Sequence, residues 1–371
     1  MNNNKHIALV YLGDFFFDAR LINMTLSLLS ENYQISIIGT HENVLQTKIF
    51  KNVQFHQIQL IKTGALKYLE FHKKTKKILQ DNTYDTIISC DLYSLSAVVS
   101  CKKLTQQIIY DCREIYFELA AHTKKPIHRY WNYFFERHYL KYVNQIMVTA
   151  DTDLKYLQNI YQKHTLLQWH IIYNYPSKAF IKKSPNRLPL SIPKNNIKII
   201  YQGVLQKGRG ITKLIDLANH NDSISVVVVG DGEHHNYFLN YNQKYNINEN
   251  VHFIGKIPYL ELLNITSQCD IGWALITKKG LSNQFALPNK LFEYLVSGIP
   301  TIASNLPNIS NIFNKYGVGE IVQSNTIEEC NNMIIKIYKN RDEYTKTIVV
   351  AAKNFTWDIQ HGKFMEIVSG K

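Results

Sequence analysis

The chain has 371 residues, 45% hydrophobic and 19% charged, with a formal net charge of +13. That length accommodates two ordinary domains with separate cores, and that composition excludes a disordered chain. Five scattered cysteines without a C-x-x-C pair give neither a disulfide framework nor a zinc site, and no apolar run reaches the ~18 residues of a spanning helix.

The N-terminal stretch "MNNNKHIALVYLGDFFFDAR" turns polar too early for a signal peptide, so a cytoplasmic location is expected. From there short apolar strands alternate with helical segments. Strands are expected at His6–Gly13, Gln34–Thr40, Tyr84–Cys90, Gln107–Cys112 and Asn144–Ala150, with an apolar-striped helix at Leu21–Asn32. Near-continuous apolar strands between helices indicate a parallel sheet covered on both faces. Two basic stretches lie in this half, Glu70–Leu79 and His122–Tyr142. In the second, Lys and Arg interleave with Tyr130, Trp131, Tyr133, Phe134 and Phe135. That mixture suits an anionic membrane surface or an anionic substrate better than nucleic acid, and equally a solvated helix face beside buried aromatics.

Asn174–Asn196 holds four of the nine prolines and no periodicity, and reads as a linker. The alternation then restarts, with strands expected at Ile197–Gly203, Ile224–Gly232, Asn250–Lys256, Asp270–Ile276, Ile299–Ser304 and Gly319–Gln323. The boundaries expected are residues 1–178 for the first domain, 179–196 for the linker and 197–356 for the second. A last helix, 357–371, returns to the first domain. Two doubly wound Rossmann-like α/β domains of this kind face each other across a cleft at the carboxyl ends of their strands, where such sheets bind ligands.

Two stretches of the second domain carry candidate chemistry. "YQGVLQKGRGITKL" leaves a strand and opens a helix, with Gly203 and Gly208 in P-loop spacing but Arg209-Gly210 where that motif needs Lys-Ser/Thr. What remains is a generic anion site: a glycine turn, free N–H groups, and Lys207 and Arg209 near a helix start. "LPNKLFEYLVSGIP" starts a short helix with Asn289 as the expected N-cap, and puts Lys290 and Glu293 on one face while Leu291 packs inward. A lysine at a helix N-terminus suits a phosphate, and a carboxylate one turn on accepts hydrogen bonds from a ribose diol. Phosphate plus ribose means a nucleotide. No metal-ligand cluster is expected.

In combination these segments resemble a GT-B-fold, family 4-type glycosyltransferase (glycosyl transferases group 1) over nearly the whole chain. "ALPNKLFEYLVSGIPTIAS" is similar to that family's donor-binding helix and following strand. "IIYQGVLQKGRGITKLI" is similar to its first strand–turn–helix, and "CDLYSLSA" and "IIYDCREIYFE" to segments of its first domain. The resemblance implies a retaining transfer from a nucleotide-diphosphate sugar, UDP- or GDP-linked, to a saccharide or lipid-linked saccharide, without an obligatory metal or other cofactor. The enzyme would work at the inner face of the plasma membrane in surface-glycan synthesis. It implies that Arg209 and Lys290 are catalytic cations facing the diphosphate and that Glu293 contacts ribose. Lys256, Ile257 and Pro258 would lie by the base, with Gly203, Lys207, Gly230, Leu287 and Leu291 completing the donor site.

Three positions depart from the pattern: Phe285 stands where the first signature glutamate falls, Val204 where an arginine often follows the glycine, and Arg113 where a histidine is usual. Arg113 cannot serve as general base, because a guanidinium stays protonated. It joins Asp18, Arg20, Asp111 and Glu114 as acceptor-side candidates. The alternatives are a nucleotide-sugar epimerase or hydrolase of the same fold, and a non-catalytic basic protein binding membranes or nucleic acid.

Overall fold

The structure, a computed structural model, describes residues 5–40, 50–119, 125–162, 167–178, 188, 192–245 and 250–370. Most of the expected linker, and residues 122–124 of the second basic stretch, lie outside the described residues. Two compact units are present, Met1–Asn174 with Asp358–Lys371, and Tyr175–Trp357.

Unit 1 carries seven parallel strands: β1 (His6–Tyr11), β2 (Gln34–Gly39), β3 (Val53–Gln57), β4 (Thr86–Ser89), β5 (Gln107–Cys112), β6 (Gln145–Val148) and β7 (Gln168–Ile171). They lie in the order β3-β2-β1-β4-β5-β6-β7. The helices between them are α1 (Ala19–Ser30), α2 (Gly64–Gln80), α3 (Leu92–Ser100), α4 (Pro126–Leu140) and α5 (Asp151–Ile160). The order reverses between β1 and β4, which makes their carboxyl ends the switch point of the sheet. Ile7, Leu9, Ile37, Ile88 and Ile109 fill its centre, all buried.

Sequence reading finds five of these strands and misses β3 and β7. Both are edge strands, "VQFHQ" and "QWHI", with no fully buried residue. Half of an edge strand meets water, so the apolar run that marks a central strand is missing.

Unit 2 repeats the scheme with β8 (Ile197–Gln202), β9 (Ile224–Val229), β10 (Val251–Gly255), β11 (Ile271–Ala274), β12 (Thr301–Ser304) and β13 (Gly319–Val322). They are ordered β10-β9-β8-β11-β12-β13, with the switch point between β8 and β11. Its helices are α6 (Ile211–His220), α7 (His235–Tyr245), α8 (Tyr259–Thr266), α9 (Leu281–Gln284), α10 (Asn289–Val296), α11 (Pro307–Tyr316), α12 (Ile327–Lys339) and α13 (Arg341–Ala352). Ile199, Leu214, Val226, Trp273, Ile302 and Ile334 belong to one core.

The division between the units falls after Asn174, ahead of the expected boundary at residue 178. Tyr175 is the reason: its ring packs 4.7 Å from that of Phe292 and 5.5 Å from that of Phe355. The last helix, α14 (Trp357–Ser369), packs within unit 1. The carbonyl of Ile367 accepts from Gln107 at 3.3 Å and Gln145 at 3.0 Å, and the Gln360 side chain accepts from the Tyr173 N–H at 3.1 Å.

Candidate functional site

Three loops meet at the carboxyl ends of β8, β9 and β10. The Gly203 N–H donates to the Val229 carbonyl at 3.0 Å, and the Gly230 N–H to the Gly255 carbonyl at 2.8 Å. Their contact requires glycine. Gly203 and Gly230 have φ of 125° and 129°, and a Cβ on Gly230 would lie 2.0 Å from the Gly203 carbonyl oxygen. The backbone is therefore bare where β8 turns toward α6.

Lys290 projects onto this turn from the first residues of α10. Its Nζ lies 3.6 Å from the centre of the Tyr201 ring and would sit 3.5 Å from a Cβ on Gly203. The Tyr201 hydroxyl, donating to the Val204 carbonyl at 2.6 Å, holds that ring in place. Burial first, then the positive charge of Arg209, hold Lys290 well below the usual lysine pKa, with Glu293 acting the other way. The Gln206 amide oxygen, assigned by the donors facing it, accepts from Arg209 Nε at 2.8 Å and Nη2 at 2.6 Å. Neither Arg209 nor Lys290 makes an ion pair among the described residues. Two basic side chains thus face one loop and repel each other, and only the more distant charge of Glu293 acts on Lys290 in the opposite sense.

Helix α10 begins differently from the sequence expectation. Asn289 is its first helical residue rather than its N-cap, and the cap position belongs to Pro288, which supplies no side-chain acceptor. The Leu291 N–H donates to the Pro288 carbonyl at 3.0 Å, and no side chain caps the N–H groups of Asn289 and Lys290, which can meet a ligand or water. Glu293, one turn along, is buried rather than displayed on the surface. Its Oε2 accepts from Gln202 Nε2 at 2.5 Å, and Gln202 Oε1 in turn accepts from the Thr266 hydroxyl at 2.7 Å. Burial raises the Glu293 pKa, with Gln202 and Lys290 opposing. Oε1 keeps no protein partner among the described residues.

Other expected donor residues distribute unevenly. Lys207 turns away: its Nζ lies 4.4 Å from the centre of the Tyr237 ring on α7. Leu291 is wholly buried, which leaves its side chain no ligand surface, whereas Leu287 is half-buried just before α10. Lys256 and Ile257 follow Gly255 in the third loop, and Pro258 caps α8. Sequence reading missed Tyr201, Gln202 and Thr266. Tyr201 and Gln202 close a strand that ends in glycine, the place where side chains reach the rim of such a sheet.

In unit 1, four of the five acceptor-side candidates are spent on one another. Arg20 donates to Asp111 through Nε at 2.9 Å and Nη2 at 2.7 Å, and through Nη1 to the Ile172 carbonyl at 2.6 Å. Arg113 donates to Asp111 at 2.8 Å and to Asp18 at 2.6 Å, and Asp18 also caps α1 by accepting from the Leu21 N–H at 2.7 Å. Burial works against an ionised Asp111, but Arg20 and Arg113 outweigh it and hold its pKa below the usual value. Arg20 and Asp111 are fully buried, so they brace α1, β5 and the segment that follows β7, and are closed to an acceptor. Glu114 is exposed; burial first, then the Glu114 charge, raise the pKa of nearby Asp153 to about 6.

Among the described residues no group of three or more His, Cys, Asp or Glu side chains is set to hold a metal ion, and no helix is long and apolar enough to cross a membrane.

Two doubly wound parallel-sheet units define a GT-B fold, and solved glycosyltransferases share it. Sucrose-phosphate synthase from Thermosynechococcus elongatus superposes with a TM-score of 0.75 at 14% identity, covering 99% of both chains. Anabaena HepE, solved in complex with UDP-glucose, gives 0.70 at 14% identity over 99% of this chain and 100% of its own. WaaG, a glycosyltransferase involved in lipopolysaccharide biosynthesis, gives 0.69 at 14% identity over 98% and 100%. The family model "Glycosyl transferases group 1" matches residues 182–354, nearly all of unit 2. Comparison with curated proteins gives no match.

Proposed function

We propose that this chain is a retaining glycosyltransferase of family 4 type that takes a hexose from a nucleotide-diphosphate sugar. The observation that carries the reading is the pair Arg209 and Lys290, neither in an ion pair among the described residues, beside a helix start with no side-chain cap, with the open Oε1 of Glu293 one turn away. A diphosphate neutralises the first group, and a ribose hydroxyl donates to the second. The family match over unit 2 supports a donor site there, and HepE, solved with UDP-glucose, supports a UDP-linked donor.

When the glycosidic bond breaks, negative charge grows on the leaving diphosphate and positive charge on the sugar ring. Fixed cations and N–H groups aimed at that anion stabilise the transition state more than the ground state. The departing phosphate oxygen can itself take the acceptor's proton on the same face, which retains configuration without a general base and without a metal ion. A double displacement requires a carboxylate beside the anomeric carbon, and Phe285 stands where the first signature glutamate falls. Unit 1 would receive a saccharide or lipid-linked saccharide in surface-glycan synthesis.

The test is a thermal-shift screen of the full chain with UDP, GDP, CMP and their sugars, repeated on Lys290→Ala. The reading expects a midpoint rise with one diphosphate that Lys290→Ala abolishes. An equal response to every nucleotide, or an unchanged response in the variant, would overturn it.

A further inference from the structure

Strand β8 ends on a buried amide. Gln202 is 1% exposed, and a glutamine inside a protein is costly unless both ends of its amide find partners. Two helices supply them. Thr266, the last residue of α8, donates its hydroxyl proton to Oε1 at 2.7 Å, and Glu293 on α10 offers Oε2 to Nε2 at 2.5 Å. Thr266 and Glu293 are buried too. The Gln202 N–H donates to the Tyr294 hydroxyl at 3.3 Å, which ties the glutamine backbone to α10 as well.

These contacts run in one direction. Thr266 donates to Gln202, Gln202 donates to Glu293, and Glu293 ends the line with Oε1 free of protein partners among the described residues. The two ends set the direction, because an amide presents its donor and its acceptor at nearly interchangeable positions. A carboxylate calls for the N–H end, and a hydroxyl is left to hold the oxygen. The Thr266 hydroxyl also lies 2.9 Å from the Leu262 carbonyl, one turn back in α8. It therefore has an acceptor of its own, and the contact to Gln202 serves the glutamine. Without that contact the amide oxygen would be a buried acceptor lacking a donor, and Gln202 would relieve it by rotating away from Glu293. The donor on Oε2, with the charge of Lys290, favours the ionised acid against the burial that raises its pKa, and the ionised acid is the better acceptor for a hydroxyl.

We infer that Thr266, acting through Gln202, is a positioning residue for nucleotide recognition: it fixes the amide that pins one oxygen of Glu293, so that the other is held toward the ribose hydroxyls. The inference rests on the ribose reading of Glu293 and extends it to two buried residues behind that carboxylate.

The experiment is calorimetric titration of the full chain with UDP and GDP, each against its 2′,3′-dideoxy form. The wild type should bind one of the two at least about ten-fold tighter than its dideoxy form, the worth of hydroxyls on a charged acceptor. Thr266→Val keeps the shape and removes the hydroxyl. It should cut that ratio to about three-fold or less while binding the dideoxy form as the wild type does. Thr266→Ser should restore the ratio. Gln202→Met, which removes the amide at similar volume, should lose it equally, and adding Thr266→Val to Gln202→Met should take nothing further. A ratio that survives Thr266→Val, or an equal loss for both forms of the nucleotide, overturns the inference and leaves the donor site standing. A wild type that binds UDP and GDP no tighter than their dideoxy forms, or binds neither, overturns the ribose reading and the inference with it.

Discussion

Lys290 is costly to the empty protein and useful to the loaded one. Its pKa is depressed in the fold, so folding favours the neutral amine, and the penalty on the charged form operates below the unfolded value and fades as pH rises toward it. Replacing the ammonium by an isosteric apolar chain removes that penalty. Lys290→Met should raise the melting midpoint of the ligand-free protein, most at neutral pH and progressively less as pH approaches the ordinary lysine value of 10.5. A gain that grows with pH would contradict the account. The same site should lose its chemistry. Lys290→Ala and Glu293→Ala are each expected to reduce transfer at least ten-fold, about 1.4 kcal/mol of transition-state stabilisation or more, read as kcat/KM. Near-normal transfer by both would remove the site assignment. Here the sequence shows the residues but not their states. The three-residue spacing of Lys290 and Glu293 is legible, whereas the burial of Glu293 against Gln202, and the Tyr201 ring under Lys290, come from strand β8, some ninety residues earlier.

Elements decide which charged groups are available. "FDAR" and "YDCRE" read as candidate acceptor groups because charged residues at strand ends often are. Parallel pairing in unit 1 brings them together, and Arg20 and Asp111 neutralise each other in the interior. Arg20→Ala leaves buried Asp111 with Arg113 as its one remaining cation and should cost up to about 3–5 kcal/mol, seen as a lower denaturation midpoint at neutral pH. A loss confined to activity, with stability intact, would instead return this pair to the acceptor site. The loop contact in unit 2 makes a similar demand. Gly230→Ala collides with the Gly203 carbonyl and must hold a positive φ, so the β8 and β9 loops must part, at about 1–3 kcal/mol. Donor binding should fall along with stability.

At the scale of the molecule, unit 1 is discontinuous in sequence and unit 2 is not. Phe364, Ile367 and Val368 of α14 are buried within unit 1, at about 1.5–3 kcal/mol for each side chain. A chain ending at Trp357 should therefore lose the cooperative melting of unit 1 and keep a nucleotide-dependent shift in unit 2. Hydrogen exchange would resolve the two. Protection of residues 5–40 unchanged by the truncation would refute it.

Local sequence was sufficient for the doubly wound scheme, the central strands and the glycine-marked turns. Each depends on neighbours a few residues apart: buried strands need continuous apolar runs, and turns with positive φ need glycine. Edge strands β3 and β7, the proline cap of α10, the departure of Lys207 to Tyr237 and the closed Arg20–Asp111 pair were settled by tertiary structure. Those outcomes depend on what distant segments bring alongside, which decides whether a charge meets water, a ring or its opposite, and no spacing along one strand or helix encodes that.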